Sequence, residues 1–157
     1  MNDTQMQRGR QWLEQLLRLA NLPQGVETRQ DVDCYWLNVD RDNLSAEQIE
    51  LLIGANGETI DAIQYLANTT LNLGRPSEEQ AAYTIELDGY RQRRQQELQT
   101  LAEQAAQAVR ESGEEFEMQP LSSAERRQVH NLLKEYADLK TYSRGEEPNR
   151  RLVVCPR

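Results

Sequence analysis

Two stretches with helical apolar spacing meet at Gly54-Ala55-Asn56-Gly57, and no continuous helix can run through that junction. Ile49, Leu52 and Ile53 form one stripe, opened by a Ser45 and Gln48 capping pair, and Ile60, Ile63, Ala67 and Leu71 form the next. Two glycines so spaced let the backbone turn sharply between the helices. They also expose amide donors at the start of the second helix, where an anion can approach closely. Taken alone, a Gly-x-x-Gly pair more often only joins helices, so the order of elements around it decides what it means.

Upstream, Thr4 with Gln7 reads as a capping box for a helix whose apolar face is Trp12, Leu13, Leu16, Leu17 and Ala20, stopped by Asn21, Pro23 and Gly25. Residues 26–29 and 34–39 are rich in β-branched and aromatic side chains and read as an antiparallel hairpin across Gln30-Asp31. The second loop-flanking helix ends near Gly74-Arg75-Pro76. Tyr83, Ile85 and Leu87 then alternate with Thr84 and Glu86 as a third strand. The resulting order, αββααβ over residues 1–88, resembles the prokaryotic-type KH domain, in which the Gly-x-x-Gly loop clamps about four nucleotides of backbone. That makes Gly54, Ala55, Asn56 and Gly57 candidate nucleic-acid-binding residues.

Residues 89–113 read as a long connecting helix, with Leu98, Leu101, Ala105 and Val109 on one side and Gln, Glu and Arg on the other, ended by Gly113. Residues 114–157 read as a second, smaller domain. It has a strand candidate at 116–118, a helix capped by Ser122 and Glu125 with Val129, Leu132, Leu133 and Tyr136 as its stripe, and two strands at 139–143 and 151–155 joined across Gly145 and Pro148. The expected fold class is α+β, a KH-type domain joined by a long helix to a small α/β domain.

A net charge of −8 argues against nucleic acid at first sight, because phosphate binding relies on Lys and Arg displacing counterions. The distribution alters that. Residues 1–118 hold 10 basic and 21 acidic side chains, net −11, whereas residues 119–157 hold 8 and 5, net +3. Within the basic end, Arg126 and His130 lie four apart on the capped helix, so guanidinium and imidazole share a face, with Arg127 and Lys134 nearby. Such a face offers forked donors to a phosphate and a flat ring for stacking on a base, although an Arg and a His on a surface helix can equally be solvated. Lys140, Arg144, Arg150 and Arg151 cluster in the same short domain and tilt the balance. Tyr142 is a candidate stacking partner, and Tyr136 fits the apolar stripe better.

The runs Leu52-Ile-Gly-Ala-Asn-Gly-Glu-Thr-Ile-Asp-Ala-Ile-Gln-Tyr-Leu66 and Ile85-Glu-Leu-Asp-Gly-Tyr-Arg-Gln-Arg-Arg94 resemble the KH domain of the Jag family of bacterial RNA-binding proteins. Glu125-Arg-Arg-Gln-Val-His130, Thr141-Tyr-Ser-Arg-Gly-Glu-Glu-Pro-Asn-Arg-Arg151 and residues 153–156 resemble that family's Arg-xxx-His domain, often called R-three-H. The resemblance implies a cytoplasmic regulator that binds single-stranded RNA with low sequence specificity, through Gly54 and Gly57 in the KH loop and Arg126 and His130 in the second motif. Single-stranded DNA is a further candidate ligand, and a small separate KH protein or a second copy a further candidate partner. Members commonly carry basic residues between the loop glycines, whereas Ala55 and Asn56 are neutral. The family's separate N-terminal domain is expected to be absent from this chain.

Other function classes find little support. One His, two distant cysteines and carboxylates too abundant to single out a pair do not make a catalytic constellation, so no enzyme and no cofactor are expected. Cys34 and Cys155 lack partners at metal-ligand spacing and read as small hydrophobes, and Asp31-x-Asp33 reads as turn chemistry rather than a calcium loop. No stretch approaches the roughly 18 apolar residues of a membrane span, and no secretory leader is visible. The main rival is a protein-interaction module, in which the acidic KH half docks a partner and only the C-terminal domain binds nucleic acid.

Overall fold

The structure, a computed structural model, describes residues 3–157, which fall into two compact units divided between Arg91 and Gln92. The first contains α1 (Asp3–Leu19), β1 (Val26–Gln30), β2 (Tyr35–Val39), α2 (Ala46–Ile53), a one-turn 3₁₀ helix (Ala55–Gly57), α3 (Glu58–Asn72), a second 3₁₀ turn (Ser77–Glu79) and β3 (Tyr83–Leu87). Its sheet runs β1-β2-β3. β1 and β2 are antiparallel, and β3 lies parallel to β2 in a register from Tyr35 opposite Tyr83 to Val39 opposite Leu87. Strand alternation sends Tyr35, Leu37, Val39, Tyr83, Ile85 and Leu87 to one face, where they are buried with Leu13, Leu17, Leu52, Ile60 and Ala67 from the helices. α1 can approach this closely because Gly9 has no Cβ; one there would lie 2.5 Å from the Tyr83 ring.

β3 is an edge strand, and an amide ladder on α3 closes it. Asn68 donates to Tyr83 O at 2.8 Å and accepts from Tyr83 N at 2.9 Å. Asn72 makes the same pair with Ala81, at 2.8 Å each way, and Gln64 Oε1 accepts from Ile85 N at 3.0 Å. Positions 64, 68 and 72 are one helical turn apart, and β3 donors recur every two residues. The helix pitch therefore matches the free edge of the strand.

The second unit begins inside α4 (Tyr90–Ser112) and continues through β4 (Phe116–Glu117), α5 (Ser123–Leu133), β5 (Leu139–Arg144) and β6 (Arg151–Pro156). Its antiparallel sheet has the order β4-β6-β5. Leu98, Ala102, Ala105 and Val109 of α4 share a core with Val129 and Leu133 of α5 and with Met118, Leu139, Leu152 and Val154. Arg94 and Glu125, nearly buried, are bonded Nε to Oε1 at 2.7 Å, while Glu125 also completes the capping box with Ser122.

Three sequence expectations need correction. Thr4 lies inside α1 and not at its cap, so the Thr4 and Gln7 pair does not start that helix. β1 runs through Gln30, and the turn sits at residues 31–34, closed by Asp31 N donating to Cys34 O at 2.8 Å; Cys34 is therefore outside β2. The long helix set apart as a connector supplies a large part of the second core, because its small residues Ala102, Ala105 and Ala106 allow close packing.

Asn68→Ala removes both partners of Tyr83 at the β3 edge and should lower stability by about 1–3 kcal/mol, the cost of leaving buried polar groups unpaired. Urea unfolding checks this, with Thr69→Ala on the exposed face of α3 expected to change little.

Candidate nucleic-acid interface

Gly54 closes α2, with φ 75° and its N–H bonded to Glu50 O; Asn56 and Gly57 follow in the left-handed region at φ 55° and 78°. α3 then starts without a side-chain cap. The Glu58 N–H already donates to Ala55 O, so an approaching anion would have to meet the donors that follow it. Gly57 is buried, and a Cβ there would lie 1.9 Å from the Tyr90 hydroxyl, so the loop rests on Tyr90 from behind. Ala55 and Asn56 are exposed. The charged side chains in the first turn of α3 are acids, Glu58 and Asp61, and Asp61 is bonded to Arg91 Nη1. Arg91 is itself committed to Gln64 Oε1 at 3.0 Å and Ile85 O at 3.1 Å.

In the second unit, the N-terminal part of α5 and the facing stretch of β5 and its connection to β6 enclose an open concavity of about 460 Å³. Ser123, Arg126, Arg127, His130, Tyr142 and Arg150 are on its wall. Arg126 is 6% exposed. Its Nη1 donates to Leu121 O at 2.7 Å and Arg150 O at 3.4 Å, and its Nη2 to Glu147 Oε1. This guanidinium ties the start of α5 to the β5–β6 connection. His130, half-buried, has Nδ1 hydrogen-bonded with Thr141 Oγ1. That contact fixes the ring plane and leaves Nε2 as the nitrogen able to meet a ligand. Arg127 and Arg150 are exposed and form no ion pair among the described residues. Three arginines against one carboxylate, two of them in the first turns of α5, leave the wall with an excess of positive charge.

Not every expected residue gathers there. Lys134 is the exposed C-cap of α5, one turn beyond His130, and is not on the wall. Arg144 and Arg151 are opposite each other across β5 and β6. Arg144 is already engaged: it bonds Glu115 at 2.6 Å and Glu117 at 3.4 Å, and its guanidinium lies 5.5 Å over the Tyr142 ring. The Arg144 hydrogen bond, with that of Tyr142 second, holds the Glu115 carboxyl below its ordinary range, and Glu115 in turn pushes the Arg144 and Tyr142 values up. The pair thus stays ionised at neutral pH and presents no net charge. Tyr142 also donates to Glu115 Oε2 at 2.8 Å, so its hydroxyl is occupied while its ring stays on the wall of the concavity.

Sequence reasoning missed Glu147, Thr141, Ser123 and the Leu121 carbonyl. The burial of Arg126 was detectable, since it precedes Val129 by three and Leu133 by seven and so falls on the apolar stripe. Glu147 carried no local signal.

The R-three-H domain model matches residues 96–156. The RNA-binding protein KhpB of Clostridium symbiosum is 29% identical over 144 residues, 92% of this chain and 63% of that protein. Those of Bacillus subtilis and Lactiplantibacillus plantarum are each 35% identical over 73% of this chain, covering 55% and 35% of their own lengths. The matched part thus spans less than two thirds of each of these relatives.

Two substitutions at the candidate sites should act on stability before binding. Gly57→Ala places a Cβ against Tyr90 in a left-handed backbone, and Arg126→Ala strands the carbonyls it serves; each should cost about 1–3 kcal/mol in denaturant unfolding. Arg127→Ala, by contrast, should stay within about 0.5 kcal/mol of the unchanged chain.

Proposed function

The chain belongs to the Jag family and carries an R-three-H domain at its C-terminal end, and from that premise we propose that it is a cytoplasmic, non-enzymatic regulator that binds single-stranded RNA at the concavity of the second unit. The observation that carries this is the wall itself: exposed Arg127 and Arg150 flank a buried Arg126 and a His130 whose ring is held by Thr141. Arg127 and Arg150 contact backbone phosphates. His130, with Tyr142 beside it, offers a ring to a base. Lys134, Lys140 and Arg151 extend the positive surface beyond the concavity. Phosphate contacts and stacking are tolerant of sequence, so preference among RNAs is weak, and single-stranded DNA competes.

The first unit, on this reading, is a prokaryotic-type KH domain, supported by its αββααβ order and by the Gly54 to Gly57 turn between two helices. Its loop contributes backbone donors rather than cations, because Ala55 and Asn56 are neutral and Glu58 and Asp61 follow at once. RNA binding there is secondary.

A specific observation favours a second role for that unit. Residues 62–74 contain no charged side chain, and Tyr65 (71% exposed) and Leu66 on α3 and Leu73 (78% exposed) at its C-cap are exposed. Residues 1–91 carry 7 basic and 15 acidic side chains, net −8, whereas residues 92–157 carry 11 of each. An uncharged stripe on an acidic unit suits protein docking, with a small separate KH protein or a second copy as the partner.

Fluorescence titration of a labelled single-stranded RNA at several salt concentrations tests the main reading. The intact chain should lose affinity steeply with salt, and the Arg127→Ala, Arg150→Ala double variant should bind more weakly with a log–log slope reduced by about 1.4, two phosphates on a single strand. Binding that ignores salt, or an unchanged slope in the double variant, would remove the concavity as the RNA site. Ala55→Asp with Asn56→Asp should weaken RNA binding only modestly.

A further inference from the structure

Glu147 is the one acidic residue on the wall of the concavity, and its carboxylate bonds Nη2 of Arg126. The two ends of this ion pair differ in freedom. The Arg126 side chain is 7% exposed and its Nη1 is committed to the Leu121 and Arg150 carbonyls, whereas the Glu147 side chain is 60% exposed. Moving Arg126 would strand the buried Leu121 carbonyl. Moving Glu147 would only return a carboxylate to water, and ion pairs with an exposed member contribute little to stability. A carboxylate and a phosphodiester make the same demand on a guanidinium, a charged oxygen facing forked N–H donors. Glu147 is therefore the exchangeable partner of a fixed cation, inside the wall that also carries Arg127 and Arg150.

We propose that Glu147 is a built-in competitor for phosphate: in the free chain its carboxylate holds the Arg126 Nη2 position that a backbone phosphate of single-stranded RNA takes in the bound chain. This rests on the concavity being the RNA site proposed above. The exchange does two things. It keeps a buried guanidinium paired when no ligand is present, so Arg126 stays oriented. It also selects against small anions, because a lone phosphate must displace Glu147 with one contact. A strand that engages Arg127 and Arg150 at the same time displaces it with several.

Three chains are compared: the intact one, Glu147→Gln, which keeps the shape and an acceptor oxygen, and Glu146→Gln, which makes the same charge change one residue away without a bond to Arg126. Binding to a single-stranded oligouridine RNA should tighten about threefold to fivefold in Glu147→Gln. It should change by less than about 1.5-fold in Glu146→Gln, where only screened long-range charge is altered. In parallel, inorganic phosphate is titrated while the Arg126 side-chain NMR signals are followed, and Glu147→Gln should respond at lower phosphate than the other two.

Equal gains in both variants would reduce the effect to net charge and overturn the proposal. So would weaker RNA binding or a lost helical signal in Glu147→Gln, which would make the carboxylate part of the site's support. If no chain binds RNA but phosphate still reaches Arg126 more readily in Glu147→Gln, the exchange stands and the RNA reading fails. If phosphate affects all three alike, the exchange fails whatever the RNA does.

Discussion

A guanidinium withdrawn from water must be given acceptors, and the way Arg126 meets that demand organises the second unit. One nitrogen reaches back to Leu121, before the cap of α5, and across to Arg150, near the start of β6; the other takes Glu147 in the connection between β5 and β6. A single side chain thereby fixes the helix start relative to the loop that faces it, and the concavity is the space left between them. The capping box of Ser122 and Glu125 adds to this at the same end, with Glu125 further anchored by Arg94. A buried ion pair such as Arg94–Glu125 adds little net stability, and the half-exposed Arg126–Glu147 pair adds little more; what both contribute here is a fixed position for the start of α5. The result is an open wall with its exposed cations at the rim.

The separation of fixed from free cations follows from this arrangement. Arg94, Arg126 and Arg144 are committed to carboxylates within the second unit, whereas Arg127 and Arg150 make no ion pair among the described residues. Net charge therefore says little about this surface. Residues 92–157 carry equal numbers of acidic and basic side chains, yet Glu125 and Glu147 are held by interior arginines and Glu115 and Glu117 by Arg144 on the sheet. What remains at the mouth of the concavity is positive. Local charge weighs more than net charge at such a surface, because at physiological salt charges beyond about 8 Å are screened.

Much of the architecture was legible in the sequence because its signals are local. Both capping boxes at Ser45 and Ser122, the break at Gly54 to Gly57 and the alternation in β3 concern residues within a few positions of one another. What escaped depends on distant pairing. Arg144 looks like a free surface cation until the order β4-β6-β5 and strand alternation set it on the same face as Glu115 and Glu117, 29 and 27 residues earlier. Likewise α4 reads as a connector, since its apolar stripe is thinned to alanine, and only the presence of α5 and the sheet explains why small residues suffice there. Arg126 is the instructive middle case. Its place on the apolar stripe pointed to burial, but chemistry drew attention to its charge instead.

The loop of the first unit is built the opposite way. Its shape is held from behind, by Gly57 against Tyr90 and by the left-handed backbone of Asn56, and owes nothing to Ala55 or to the Asn56 side chain, which are exposed. Geometry and charge are therefore separable at this turn: the donors at the start of α3 keep their direction whatever side chains decorate the loop. Neutral residues at its tip leave only short-range amide donors there, without cations to attract a strand. Meanwhile the amides of α3 close the free edge of β3, so an extended segment cannot add to the sheet at that side. The loop and the uncharged, exposed positions of α3 remain open in this unit. Neither draws a ligand from a distance, so each suits a strand or partner that other contacts have already brought close, and that is the sense in which the binding proposed for this unit is secondary.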